Sequence, residues 1–271
     1  MKERVEAALG ARVTAMQAVA GGSINRAWRA TTDAGPVFVK SHASPPPGFF
    51  AAEADGLRRI AAAGVRAPVV LAVGDDFLAL EWLEPGRPRW EDAGRALATL
   101  HAATGERFGL ERDNVMGAVP QSNAAASDAT FATFFRERRL EPLAMRLPSR
   151  ARARLDRLDL GAILTEPDRP RLVHGDLWSG NLLHAAIGPV LIDPAVHYGH
   201  PEQDLAMSRL FGGFAPAFEA AYREAAGWPA RADVDFPRRL AALNLYPLLV
   251  HLHLFGDGYL PDIEATLAEL V

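Results

Sequence analysis

The chain has 271 residues, 49% of them hydrophobic, with 29 lysine and arginine residues against 33 aspartate and glutamate residues, a net charge of −4 and no cysteine. The lack of cysteine excludes disulfides, thiolate metal centres, iron–sulfur clusters and a cysteine nucleophile, and it fits the cytoplasm, where we expect the protein to reside. The mild negative charge and the absence of a long apolar run or signal peptide lead us to expect neither nucleic acid nor a membrane among its partners.

The first third of the sequence predicts a small antiparallel sheet with one main helix. A short helix is expected over residues 2–9, and apolar residues at helical spacing fill residues 50–63. Runs rich in β-branched and aromatic residues, separated by turn residues, predict strands at 13–19, 26–32, 36–41, 68–73 and 77–82.

A glycine turn joins the first two predicted strands. It contains Gly21, Gly22, Ser23 and Ile24. Its backbone amides could approach the phosphates of a nucleotide, although a plain hairpin turn explains these residues equally well.

The remainder of the sequence is predicted to be mostly helical. Runs rich in alanine, leucine and arginine predict helices at 90–104, 129–146, 148–159, 204–227, 235–255 and 261–270, interrupted by a strand-turn-strand segment at 171–194. The composition changes near Pro85 and Gly86. We therefore predict an α+β fold with two lobes, residues 1–84 and residues 85–271.

The residues with the clearest chemical meaning lie in the strand-turn-strand segment. The run HGDLWSGN occupies 174–181, and Asp193 follows an apolar strand. Phosphoryl transfer needs a base for the acceptor hydroxyl and oxygen ligands for Mg²⁺ over the phosphates of ATP. Asp176 is the predicted base, and Asn181 and Asp193 are the predicted metal ligands. Either aspartate alone could simply cap a turn, but the spacing favours a kinase catalytic loop.

The first third supplies candidates for the other half of an ATP site. Lys40 ends the third predicted strand, and Glu53 lies in the helix that follows. A kinase needs a lysine on this strand for the phosphates and a helical glutamate to orient it. Glu81, Trp82 and Leu83 follow the fifth strand, where a hinge would offer backbone groups to adenine; that assignment rests on position alone.

The chain resembles the fructosamine kinase, or ketosamine-3-kinase, family of the protein-kinase-like and aminoglycoside-phosphotransferase superfamily. The resemblance rests on HGDLWSGN at 174–181 and on shorter matches along nearly the whole chain. These include FVK at 38–40, LH at 100–101, DN at 113–114, QSN at 121–123, DPA at 193–195, YG at 198–199, DLAM at 204–207 and FGGF at 211–214.

The resemblance implies a protein-kinase-like two-lobe fold and ATP-dependent, Mg²⁺-dependent phosphorylation of the C3 hydroxyl of ketosamines, free or attached to protein lysines. The product then eliminates phosphate and releases the amine, which reverses glycation. The implied substrate residues are Trp178 and Tyr198. Trp178 is either a flat wall for the sugar or an internal brace for its loop. Two alternatives stay open: a kinase of the aminoglycoside or choline type, and a pseudokinase that only binds nucleotide.

Three departures from the family pattern affect these expectations. Ser23 stands where some members carry a cysteine, which removes a thiol switch. His200 and Pro201 replace Asp-Arg of many bacterial relatives, and Val250 stands where we expect an asparagine. The last two departures bear on substrate preference and not on the reaction type.

Overall fold

A computed structural model describes residues 1–19, 25–124, 129–228 and 233–271. In it, five antiparallel strands form the sheet of the first third. The strands are β1 (Val13–Val19), β2 (Arg26–Thr32), β3 (Gly35–Ser41), β4 (Val70–Val73) and β5 (Phe77–Glu81), in the order β1-β2-β3-β5-β4. The predicted bounds of β1 and β2 are confirmed, while β4 begins two residues later than predicted.

The two faces of the sheet are covered by different elements. The helix α1 (Lys2–Leu9) packs through Val5 on the face that contains Val37 and Val39. Because side chains alternate along a strand, Lys40 of β3 lies on the opposite face. The helix α2 (Phe49–Ala62) covers that side, and its buried residues recur at helical spacing.

The rest of the chain is mostly helical, so the predicted α+β class is confirmed. Its helices are α3 (Trp90–Ala102), α4 (Phe131–Phe135), α5 (Ser149–Arg157), α6 (Leu160–Ile163), α7 (Glu202–Leu210), α8 (Pro216–Ala225), α9 (Phe236–Phe255) and α10 (Leu260–Leu270). Among the described residues, no helix combines the length and apolar character needed to cross a membrane.

Two of the long predicted helices were wrong in extent. The predicted helix 204–227 is split because Gly212 and Gly213 adopt φ values of 68° and 90°, and Pro216 then starts α8. The predicted helix 129–146 is a short α4, a π-helical turn at Arg136–Leu140 and a 3₁₀ turn at Ala144–Arg146. The two turns are separated by residues 141–143, where Pro142 lacks the N–H that a continuing helix needs.

Short strand pairs position the residues of interest. Two are hairpins, β6 (Asn114–Met116) with β7 (Val119–Gln121) and β9 (Leu182–Ala185) with β10 (Gly188–Leu191); in addition, β8 (Arg171–Val173) pairs antiparallel with the later strand β11 (His197–Gly199). The strand-turn-strand segment is thus confirmed, whereas the β6–β7 hairpin was not predicted. The motif at 174–181 begins where β8 ends, and Asp193 follows β10 by two residues.

Contacts join the first third directly to the helical part. The Ala186 amide donates to the Glu84 carbonyl over 2.8 Å, and the Leu191 amide donates to the Arg66 carbonyl over 3.0 Å. In α2, Gly56 packs against Pro194, where an added Cβ would lie 3.0 Å from the proline Cγ. The boundary at 84/85 stays a prediction.

Candidate active site

Lys40, Glu53 and Asp193 form an ionic cluster between β3, α2 and the segment after β10. The Lys40 Nζ lies 2.9 and 3.1 Å from the two Glu53 oxygens and 2.9 Å from Asp193 Oδ1. Lys40 and Glu53 are buried, whereas the Asp193 side chain is 38% exposed. Burial alone would lower the pKa of Lys40, but the two carboxylates raise it above its ordinary value, so the lysine remains cationic.

Asp176 and Asn181 contact each other in the segment that follows β8. The Asn181 amide donates to the Asp176 backbone oxygen over 2.8 Å and to Asp176 Oδ2 over 3.0 Å. Burial raises the pKa of Asp176 to about 7, and the carboxylates of Asp193 and Asp204 add to this effect. The Asn181 hydrogen bond and Lys40 oppose it. A carboxylate with a pKa near neutrality suits a general base.

Asp204 of α7 holds the backbone of this segment, a role that sequence reasoning missed. Its carboxylate accepts from the His174 amide over 2.7 Å and from the Gly175 amide over 2.9 Å, and it lies 3.0 Å from His101 Nε2. Burial alone would raise the pKa of Asp204, but these donors hold it below its ordinary value. The available signal was an acidic residue within DLAM, a helical run that is otherwise apolar.

His174 connects Asp176 to the segment that contains Asp193. Its Nε2 donates to the Ile192 carbonyl over 2.9 Å, and its backbone oxygen accepts from the Ala195 amide over 2.9 Å. The Asp176 amide donates to His174 Nδ1 over 3.3 Å. Burial lowers the pKa of His174, so the ring is neutral and can accept at Nδ1 while it donates at Nε2. His174 therefore fixes the backbone on both sides of Asp193, through its imidazole at Ile192 and through its backbone oxygen at Ala195.

Gly175 is required at its position by conformation and by space. Its φ is 80°, and an added Cβ would lie 2.2 Å from the Ala195 carbonyl oxygen. We expect Gly175→Ala to lower the free energy of unfolding by about 2–4 kcal/mol and the turnover by at least about tenfold, because the loop with Asp176 must move. Urea unfolding and steady-state kinetics measure both effects.

Gly10 offers a matched control for that substitution. Its φ is 63°, but nothing lies within 4 Å of an added Cβ. Gly10→Ala should therefore cost only about 1 kcal/mol and leave turnover unchanged. Equal losses of stability in the two variants would show that the contact with Ala195 is unimportant.

The predicted adenine hinge follows β5. The Glu81 carboxylate is held by Arg66 Nη2 at 2.5 and 2.7 Å, and the guanidinium of Arg29 lies 4.9 Å from the centroid of the Trp82 ring. These side chains are thus engaged with the protein. Within the described ranges, the backbone N–H and C=O of Leu83 make no hydrogen bond. Backbone groups that bind adenine must be free in this way. The hinge role stays a prediction.

The two predicted substrate residues lie in different surroundings. Trp178 is 41% exposed, as a wall for a sugar requires, but its ring also lies against Gly180 of its own loop, where an added Cβ would come within 2.2 Å of it. Tyr198 is half-buried; its ring lies against Gly105, and its backbone exchanges hydrogen bonds of 2.8 and 3.0 Å with Gly109. The contacts of Tyr198 are therefore with the segment after α3 rather than with the catalytic loop. Both substrate roles stay predictions.

The predicted nucleotide loop of Gly21, Gly22, Ser23 and Ile24 lies outside the described residues. The other predicted site residues are described, and five of them form the two linked clusters above. Within the described ranges, no group of three or more histidine, aspartate or glutamate side chains is arranged to hold a metal ion.

A lysine on a strand is paired with a glutamate on the helix that covers the sheet, and both lie next to an Asp-Asn loop. This combination defines a phosphotransferase of the kinase-like class. Comparison with known proteins gives the family. The fructosamine kinase family model matches residues 1–271, and the chain belongs to this family.

Named relatives agree with this assignment. A "Probable ketoamine kinase" of Enterococcus faecium is 38% identical over 263 residues, covering 92% of each chain. The chloroplastic protein-ribulosamine 3-kinase of Arabidopsis thaliana is 35% identical over 274 residues, covering 92% of this chain and 80% of that one. A Thermobifida fusca crystal structure named for fructosamine-3-kinase has a TM-score of 0.86 and 33% identity, covering 99% and 98% of the chains. The predicted family and the kinase-like fold are confirmed.

Proposed function

We propose that the protein transfers the γ-phosphoryl group of ATP to the C3 hydroxyl of ketosamines, both free adducts and those on protein lysines. The observation that carries the proposal is the assembly of Lys40, Glu53, Asp176, Asn181 and Asp193 from distant positions into two linked clusters, in a chain of the fructosamine kinase family. The names of the Enterococcus and Arabidopsis relatives support the substrate class.

Asp176 is assigned the role of general base. In its ionised form it accepts the proton of the sugar hydroxyl as the hydroxyl oxygen bonds to the γ-phosphorus, while the bond to the bridging oxygen breaks and ADP leaves. Lys40, held by Glu53, contacts the phosphates. Because the reaction is mainly a matter of placement, the fixed backbone of His174 and Gly175 contributes by keeping the base in position.

Mg²⁺ is the cation proposed for this site. The Asn181 amide donates through its nitrogen to Asp176, which leaves its oxygen as a ligand, and Asp193 is partly exposed with one oxygen on Lys40. Oxygen ligands of this kind suit Mg²⁺, which keeps the rest of its shell from phosphates and water. When bound, the ion neutralises phosphate charge.

We also propose that residues 1–84 form the nucleotide lobe and residues 85–271 the catalytic and substrate lobe, and that the protein acts in the cytoplasm. Trp178 offers its exposed indole face to the sugar. After transfer, elimination of the 3-phosphate releases the amine from the sugar, so the physiological result is deglycation.

The test is turnover of ribuloselysine or fructoselysine by purified protein with ATP and Mg²⁺. We expect ADP release together with a phosphorylated ketosamine detected by mass spectrometry, and no phosphorylation of kanamycin or choline. Phosphorylation of kanamycin or choline alone would point to the aminoglycoside or choline type of kinase. Binding of nucleotide without turnover of any of these would favour the pseudokinase.

A further inference from the structure

A set of buried polar side chains, unused by the mechanism above, lies behind residues 192–196. We call Asn114, Gln121 and Asn123 the amide ladder. Gln121 and Asn123 are 1% and 0% exposed, and Asn114 is half-buried. Buried amides are retained only where their hydrogen bonds are satisfied, so the partners of the ladder indicate what it does.

The hydrogen bonds of the ladder lead towards one stretch of backbone. Asn123 Nδ2 donates to Asn114 Oδ1 over 2.7 Å, and Asn114 Nδ2 donates to the Val196 carbonyl over 2.8 Å. Gln121 Nε2 donates to Asn114 Oδ1 over 2.7 Å and to the Ala195 carbonyl over 3.1 Å. Donors that all point the same way polarise one another and hold their final acceptors in place.

Arg139 and Tyr246 supply donors at the start of the ladder. Arg139 Nη2 donates to Asn123 Oδ1 over 2.8 Å, and the Tyr246 hydroxyl donates to Gln121 Oε1 over 2.9 Å. Arg139 is fully buried, and its guanidinium lies 4.7 Å from the centroid of the Phe134 ring. Burial lowers the pKa of Arg139 to about 10, which leaves it cationic at neutral pH.

Burying the charged guanidinium of Arg139 costs free energy, so its position in the core needs an explanation. In the part of the chain that the structure describes, Arg139 reaches no carboxylate; its other acceptors are the backbone carbonyls of Ser122 and Arg138. The charge of Asp113 favours the cationic form of Arg139 from a distance, but a buried charge that no carboxylate contacts is still expensive. What the charge supplies here is a strong hydrogen bond to Asn123, at the head of the ladder.

The acceptors of the ladder lie just beyond Asp193, whose backbone is strained. Asp193 has a φ of 54°, in the left-handed region that non-glycine residues rarely adopt. Such a conformation persists only where the surroundings hold it on both sides. His174 holds Ile192 before it, and the ladder holds Ala195 and Val196 after it.

We propose that Arg139 and Tyr246 are positioning residues that act through the amide ladder to hold the carboxylate of Asp193 in its metal-binding orientation. The inference rests on the proposed function in one respect, that Asp193 binds Mg²⁺. Residues that orient a metal ligand from behind typically change metal affinity by about 10- to 100-fold. The ladder therefore sets the affinity for Mg²⁺ and leaves the adenine end of the nucleotide site unaffected.

Asn114→Ala tests the inference, since it removes the donor to Val196 and the acceptor that Gln121 and Asn123 share, while the direct hydrogen bond from Gln121 to Ala195 remains. Mg²⁺ is titrated calorimetrically into each protein saturated with the ATP analogue AMP-PNP, and AMP-PNP is titrated separately in EDTA. We expect Mg²⁺ to bind about tenfold more weakly to the variant, while the affinity for AMP-PNP in EDTA changes by less than about twofold. Tyr246→Phe, which removes one hydroxyl, should weaken Mg²⁺ by about threefold and decides the matter if Asn114→Ala does not fold.

Arg136→Gln is the matched control. Arg136 lies in the same π-helical turn as Arg139, but it binds the Leu155 carbonyl over 3.3 Å and not the ladder. It should lower the melting temperature without changing Mg²⁺ affinity. The inference fails if the ladder variants keep wild-type Mg²⁺ affinity, if Arg136→Gln weakens it equally, or if the wild type binds no Mg²⁺ with AMP-PNP. A wild type that binds Mg²⁺ and AMP-PNP but phosphorylates no ketosamine overturns only the proposed substrate.

Discussion

Asp176→Asn is expected to lower kcat by about 10³-fold while it makes the protein more stable at pH 8. The loss follows from removal of the base, an effect typically worth about 10²–10⁴ in rate. The gain follows from the raised pKa of about 7, which means that ionised Asp176 opposes folding. Steady-state kinetics and thermal unfolding as a function of pH measure the two effects.

The sign of the pH dependence follows from the direction of that shift. The pKa of Asp176 is higher in the folded chain than in the unfolded chain, so its penalty is complete above about pH 7 and fades as the pH falls towards 4. The melting temperature of Asp176→Asn should exceed that of the wild type by about 2–4 °C at pH 8, and the two should converge near pH 4.

Asp168→Asn provides the opposite case. A hydrogen bond from Arg171 holds the pKa of this exposed carboxyl below its ordinary value, so the substitution should slightly destabilise the protein at pH 8 and leave turnover unchanged. Full turnover by Asp176→Asn would show that Asp176 is not the base, and a lower melting temperature at pH 8 would show that its charge does not oppose folding.

Lys40→Met is expected to lower kcat/KM for ATP by about 10²–10³-fold and the free energy of unfolding by about 3–5 kcal/mol. The first effect comes from the lost cation at the phosphates. The second arises because Glu53, 9% exposed, is left buried without its partner. Nucleotide titration, kinetics and urea unfolding measure these changes.

The double variant Lys40→Met/Glu53→Gln separates the two effects. Neutral side chains of similar size should restore most of the lost stability, since a buried ion pair adds little over a well-packed neutral pair. They should not restore turnover, because no cation remains at the phosphates. Recovery of turnover in the double variant would mean that Lys40 serves only to neutralise Glu53.

The parts of the fold that local patterns determine were predicted well. Alternating residues and turns located β1 and β2 to the residue, and the spacing of Lys40 and Glu53 led to a pair that the structure brings within 2.9 Å. Predictions from helix propensity were wrong where the backbone conformation of particular residues overrides propensity. Gly212 and Gly213 look like minor interruptions of an alanine-rich run, yet their positive φ values end the helix.

The parts of the site that depend on distant contacts could not be predicted. Asp204 and His101 meet across 103 positions of sequence, and Tyr246 reaches Gln121 across 125. No local pattern marks such pairs, because a polar residue in a helical run is usually solvated. In the sequence, QSN at 121–123 is only a match to a family. The structure adds the hydrogen bonds of Gln121 and Asn123, which explain why amides stand at these positions.

The packing of α2 against the helical part of the chain bears on how the kinase activity is regulated. In protein kinases the helix that carries the orienting glutamate is a point of control, since its position decides whether the lysine–glutamate pair forms. Here Gly56 packs directly against Pro194, the residue after Asp193, so a shift of α2 that moved Glu53 would also press on the segment that carries Asp193. Such a shift would disturb both carboxylate partners of Lys40 at once.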